Sequence, residues 1–91
     1  MDDVFKALAD ISRRKLVDEL YIKDGQSLGE LAAGLPKMSR IGVLKHLRIL
    51  EAAGLIVVRR EGRRKLHFFN PLPIQRIHDR WISRFTRSSV P

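Results

Sequence analysis

The chain has 91 residues, enough for one domain with a single modest core, and it contains no cysteine, which excludes disulfides, thiolate metal sites and a cysteine nucleophile. Its formal charge is +8, from 18 Lys/Arg against 10 Asp/Glu. No apolar run approaches the roughly 18 residues of a membrane span and the charged N-terminus lacks the apolar core of a signal peptide, so a cytoplasmic protein without a membrane partner is expected.

In chain order, Asp2 to about Ala9 reads as a short amphipathic helix with Val4, Phe5 and Leu8 on one side and Asp2 and Asp3 near its positive end. Asp10 is placed to cap a second helix running to about Tyr21, with Leu16, Val17 and Leu20 inward. Lys23–Gln26 reads as a loop. Ser27-Leu28-Gly29-Glu30 is an S-x-x-E capping box opening a third helix to about Gly34, with Leu28, Leu31 and Ala32 inward. Pro36 ends it in a tight turn. Ser39 then caps a fourth helix to Gly54, in which Val43, Leu47 and Leu50 recur at i, i+4 and i+7 and Met38 is a hydrophobic staple for Val43. Gly54 stands where a helix end wants positive φ.

Projecting that helix at about 100° per residue places Ile41, Lys45 and Arg48 opposite the apolar stripe, with Arg40 and Leu44 on one flank and Gly42 on the other. Such a helix fits the major groove of DNA. Leu55–Arg60 and Arg63–Phe69 read as two strands around a Glu61-Gly62 turn, with Arg59, Arg60, Arg63, Arg64 and Lys65 surrounding the tip. Asn70-Pro71-Leu72-Pro73 starts a last helix carrying Ile74, Ile77, Trp81 and Phe85 at i, i+3, i+7 and i+11, and Thr86–Pro91 reads as a frayed tail.

The charge is concentrated. Between Lys37 and His67 there are nine Lys/Arg and two Glu, net +7; the remainder holds nine cations and eight anions, net +1. A polyanion is the implied partner. The pattern is mainly α with a small β-hairpin: a winged helix-turn-helix of five helices in the order α-α-α-α-β-β-α, forming a single domain over residues 1–91. The middle helices and hairpin already supply a core. The terminal helices, about 2–9 and 71–86, either pack on their own domain or pair across a two-fold axis through Val4, Phe5, Leu8, Ile74, Ile77, Trp81 and Phe85. Pairing into a homodimer is the favoured expectation, because it would set two reading helices about 34 Å apart.

Ala7-Leu8-Ala9-Asp10-Ile11-Ser12-Arg13-Arg14-Lys15-Leu16 resembles the A-L-A-D-P-T-R-R-x-I opening of ArsR-type bacterial repressors. Ser39 through Leu47 with Leu50, Ala53, Gly54 and Leu55 is similar to their S-x-x-x-V-S-x-H-L-x-x-L-x-x-A-G-L run, and Arg59-Arg60-Glu61-Gly62-Arg63 resembles their wing tip. The likeness spans roughly Val4 to Phe85, and the order and spacing of the pieces make it specific. It implies a dimeric repressor on an inverted repeat of double-stranded DNA. Carried over by position, Arg40, Ile41, Leu44 and Lys45 would meet base edges, with Ser39, Gly42 and Arg48 on the same helix, and the wing arginines would grip flanking backbone or minor groove. Leu44 stands where the family has Ser, Ile41 is apolar in a slot often polar, and Ile11 replaces a Pro. Ile41 and Leu44 either contact thymine methyls, or merely pad the protein–DNA surface or pack within the protomer. Many relatives of this type bind metals. Here thiolate boxes are impossible, His78-Asp79 has no second spaced His after it, and His46 and His67 are expected to be structural, so no metal or other cofactor is expected and any effector is unknown.

Rival classes fare worse. An enzyme would need a Gly-rich phosphate loop, paired carboxylates or a nucleophile frame, none of which the sequence offers. A basic RNA binder or a protein-binding anti-activator without operator specificity is the alternative to a DNA regulator. The basic patch, however, lies on a helix and hairpin rather than on an aromatic-studded sheet, and strand alternation should bury at least one of Phe68 and Phe69.

Overall fold

The computed structural model describes residues 1–88. Four helices come first: α1 (Asp2–Leu8), α2 (Ile11–Ile22), α3 (Leu28–Ala33) and α4 (Arg40–Ala52). An antiparallel hairpin follows, β1 (Ile56–Glu61) and β2 (Arg64–Phe69). The last helix is continuous but changes pitch: α5 (Leu72–Ile77), a π-helical turn (His78–Ile82) and α6 (Ser83–Ser88). Thr86 to Ser88 are therefore helical rather than a frayed tail; the rest of that tail lies outside the described residues.

The three helices α2, α3 and α4 each start where a side chain satisfies the first free N–H groups. Asp10 Oδ1 accepts from the backbone N–H of Ser12 (2.8 Å) and Arg13 (3.2 Å). Ser27 and Glu30 form the reciprocal box at 3.2 Å each way. Ser39 Oγ accepts from Gly42 N–H at 3.0 Å. The core is built from Leu16 and Leu20 of α2, Leu31 of α3, Val43, Leu47 and Leu50 of α4, and Leu55 and Ile56 at the base of the hairpin. Leu28, Ala32, Val17 and Met38 pack around it. On α1 the inward residues are Val4 and Ala7, with Leu8 packed beside them, while Phe5 is exposed. Ala7 carries little hydrophobic bulk and so stands out weakly in the sequence pattern.

The hairpin turn lies one residue later than the sequence suggests. Glu61 pairs with Arg64, which makes Gly62-Arg63 the two-residue turn, with Gly62 at φ +63°. A glycine at the first central position suits the strand twist of such a turn. Lys23–Gln26 is also more than a loop. Gln26 bridges to His67 as a one-residue third strand: His67 N–H donates to Gln26 O (2.8 Å) and Gln26 N–H to His67 O (3.2 Å). His67 Nδ1 lies 2.9 Å from the same Gln26 carbonyl, which only accepts, so the ring proton sits on Nδ1. The Gln26 amide in turn caps carbonyls of Lys23 (2.7 Å) and Glu19 (3.2 Å) at the end of α2. Neither Phe68 nor Phe69 is fully buried: Phe69 packs against the core and Phe68 stays half-exposed.

Arg13 ties α1 to α4. Its Nε donates to Ala7 O (2.7 Å), one Nη to Lys6 O (3.1 Å), and the other reaches His46 Nδ1 at 3.2 Å. A guanidinium only donates, so His46 offers a lone pair at Nδ1 and keeps its proton on Nε2. His46 is thus structural, with Asp10 Oδ1 4.0 Å from the same nitrogen. Removing the guanidinium takes the side-chain donor from Ala7 O and leaves Lys6 O only the Ala9 N–H at 3.3 Å. Arg13→Ala should cost about 2–3 kcal/mol in urea denaturation, as expected for charge-assisted bonds at a partly buried site.

Glu30 supplies a pH-dependent contribution. Its carboxyl is held below the ordinary glutamate value of 4.5, chiefly by the Ser27 backbone N–H, then by the Ser27 hydroxyl, with Lys23 and Arg64 adding attraction against some desolvation. A depressed carboxylate stabilises the fold fully above its unfolded value and loses that contribution as pH falls through its folded value. Ser27→Ala should therefore raise the Glu30 titration midpoint in NMR and flatten the acid limb of the stability curve below about pH 5.

Candidate nucleic-acid interface

The inner face of α4 is occupied by Val43, Leu47 and Leu50, and this fixes what its outer face presents. Ile41 is 69% exposed, and Lys45 and Arg48 are exposed beside it along the same stripe. Leu44 and Gly42 are half-buried. Arg40 is exposed, yet its guanidinium lies back over α3: Nη2 sits 3.2 Å from where a Cβ on Gly29 would be. Ser39 serves the backbone as a cap, with its residue exposed at the helix start.

The hairpin is locked to the end of α4. Gly54 at φ +77° closes the helix, Leu55 N–H donates to Leu50 O (2.9 Å), Asn70 N–H to Leu55 O (2.8 Å), and the Asn70 amide to Gly54 O (2.9 Å). A wing attached this way keeps a fixed relation to the helix before it. Its five cations are not equivalent. Arg64 is hydrogen-bonded and ion-paired to Glu30, which pins β2 to α3. Arg59 lies over the Phe68 ring, 5.7 Å from its centroid. Arg60 and Lys65 face each other directly across the two strands, and Arg63 occupies the turn. Like charges opposed in a ladder destabilise it. Among the described residues no carboxylate is bonded to Arg60, Arg63 or Lys65, so the arrangement is suited to an external polyanion.

The structure divides the residues assigned to the dimer face. Val4 and Ile77 are buried in the protomer's own core, and Leu8 and Ile74 pack against it. Phe5, Trp81 and Phe85 are exposed and stack edge-on, with ring centroids 6.5 Å apart for Phe5–Trp81 and 5.3 Å for Trp81–Phe85. The regular spacing in sequence assumes an unbroken α-helix. The π turn, in which Ser83 N–H reaches His78 O, shifts the phase after Ile77 and separates the inward isoleucines from the outward aromatics.

Sequence reasoning missed the engagements of Arg40 and Arg64, because both depend on α3 lying against residues from other elements. The Glu30 carboxylate of the capping box was the one available hint. No group of three or more His, Cys, Asp or Glu suited to a metal occurs among the described residues, and none of their helices is long and apolar enough to cross a membrane.

Comparisons with known proteins agree with this geometry. Residues 8–59 match the family model described as a helix-turn-helix domain. The chain is 36% identical to the HTH-type transcriptional regulator YuzN of Bacillus subtilis, over 89% of this chain and 94% of that protein. It superposes with a TM-score of 0.72 on an ArsR-like transcriptional regulator from Rhodococcus sp. RHA1, at 31% identity, covering 94% of this chain and 84% of the other. The same TM-score relates it to the homodimeric winged helix-turn-helix DNA-binding domain of Mb0332 from Mycobacterium bovis, at 22% identity over 99% and 81% of the two chains. With its DNA-binding helix-turn-helix and cysteine-free reading region, the chain belongs to the ArsR-type family of winged helix-turn-helix transcriptional regulators.

Proposed function

We propose that this regulator is a sequence-specific repressor that binds an inverted repeat in double-stranded DNA as a homodimer. The observation that carries the reading is a cationic outer face on α4 joined rigidly to a hairpin tip whose Arg60, Arg63 and Lys65 have no carboxylate bonded to them among the described residues. In this reading α4 enters the major groove with Ile41 and Lys45 toward base edges and Arg48 toward the backbone, while the wing lies along flanking phosphates. Arg59 and Arg64 support the wing through Phe68 and Glu30, and meet the DNA less directly than the tip does.

The dimer face in this reading is the aromatic group Phe5, Trp81 and Phe85, seated on Val4, Leu8, Ile74 and Ile77. Exposed aromatic clusters of this kind mark association sites, and the Mycobacterium bovis domain of the same fold is homodimeric. A two-fold assembly presents two copies of α4, which is why an inverted repeat is the matching target.

A salt titration with purified protein and a selected duplex tests the DNA reading. Log affinity should fall steeply with log salt, and Arg60→Ala with Lys65→Ala should reduce that slope by about 0.9 for each phosphate that is no longer neutralised. An unchanged slope would remove the wing from the interface. In sedimentation, Trp81→Ala should shift the dimer toward monomer at micromolar concentration, because the indole no longer contributes its large apolar area to the interface. A dimer that persists unaltered would place the two-fold face elsewhere.

A further inference from the structure

We infer that Ile41 is a specificity-determining residue that reads the 5-methyl group of a thymine, an inference that rests on the DNA-binding reading above. Ile41 lies in the first turn of α4, the part of a reading helix that meets base edges. Its 69% exposure means that packing within the protomer does not account for a β-branched apolar side chain there. Its neighbours narrow the assignment. Arg40 is turned back over α3 at Gly29. Leu44, the other apolar departure from the family pattern, is half-buried. Gly42 answers an internal constraint, because a Cβ there would lie 3.0 Å from Met38 Cγ and 3.3 Å from Ser39 Oγ. On the stripe opposite the core this leaves Ile41, Lys45 and Arg48, at i, i+4 and i+7; Ile49, the other exposed large apolar residue of α4, lies two turns beyond the leading end.

That stripe is cationic along most of its length and apolar at its leading end. The complementary surface is anionic at its rim and carries an apolar group on its floor. In the major groove thymine alone among the four bases presents a methyl group. Against the polar edges of guanine, adenine or cytosine, Ile41 would desolvate donors and acceptors without replacing their hydrogen bonds. Arg48 and the wing cations supply the phosphate attraction that holds the helix close enough for so short a side chain to touch the floor.

The test replaces thymines, one position at a time, with deoxyuridine in an operator selected from random duplexes by the purified protein. Deoxyuridine keeps the pairing and removes only the methyl. One symmetric pair of thymines should weaken wild-type binding about fourfold per methyl removed, and about fifteenfold when both half-sites are changed. Ile41→Ala should lose that sensitivity at the same position while keeping the wild-type salt slope, since Ile41 meets no phosphate. Ile41→Val should retain part of it. Equal wild-type binding to every uracil-substituted operator would overturn the inference, as would full methyl sensitivity in Ile41→Ala. A selection that yields no preferred sequence would instead sink the operator reading itself.

Discussion

The packing of Val43, Leu47 and Leu50 against α2 and α3 is the constraint from which the rest of the molecule follows. A thirteen-residue helix has one apolar stripe, and committing it to the core leaves only one rotation about the helix axis. The opposite stripe, Ile41, Lys45 and Arg48, is then presented without any further device. Arg13 and His46 reinforce the same rotation from the side, because His46 stands at the edge of the stripe and accepts the guanidinium that also closes α1. A helix free to roll would average its outer face over solvent and protein. This one is held along its inner stripe and again at its edge.

The charge pattern gains meaning once the internally used cations are separated from the rest. Arg13 serves the end of α1, Arg64 serves Glu30, Arg59 lies over Phe68, and Arg40 leans on α3 at Gly29. Exposed ion pairs contribute little to stability on their own. Here their effect is positional: Glu30, fixed by the capping box, holds Arg64 and so anchors the wing strand to α3. The opposed Arg60 and Lys65 receive no such relief and raise the energy of the isolated protomer. In the proposed complex a phosphate backbone would offset that repulsion.

How far the sequence reveals this depends on whether the signal is local. Caps at Asp10, Ser27 and Ser39, the α4 stripe, and the positive φ at Gly54 and Gly62 are all decided within a few residues, and each is legible in the chain. The hairpin turn is displaced by one residue, because Glu-Gly resembles a turn dipeptide whereas the ladder closes one pair further on, at Glu61 and Arg64. The role of Gln26 is invisible, since its partner His67 is 41 positions away and a polar residue between Gly25 and Ser27 resembles any loop. Similar distance hides the Arg64–Glu30 pair. On the outer face of α4, periodicity finds Ile41, Lys45 and Arg48, but it does not tell that Arg40 bends back to α3.

The terminal helices show why a regular apolar spacing alone does not assign an interface. Val4 and Ile77 satisfy the pattern and are consumed by the protomer; Phe5 and Trp81 satisfy it and are not. What separates them is geometry at two places: the short α1, whose inner face is narrowed to Val4 and Ala7, and the π turn, which rotates the chain after Ile77. The outcome is a surface on which Trp81 meets Phe5 on one side and Phe85 on the other, each contact edge-on and each ring about half exposed. Edge-on contact orders the rings before any partner arrives, so covering them removes apolar area from water at a reduced cost in side-chain entropy. The cluster sits on Val4 and Ile77, which share one core with Val43, Leu47 and Leu50 of α4, and the Arg13 guanidinium adds a polar tie between the end of α1 and His46. The surface proposed for pairing and the surface proposed for reading are thereby set on the same packed core.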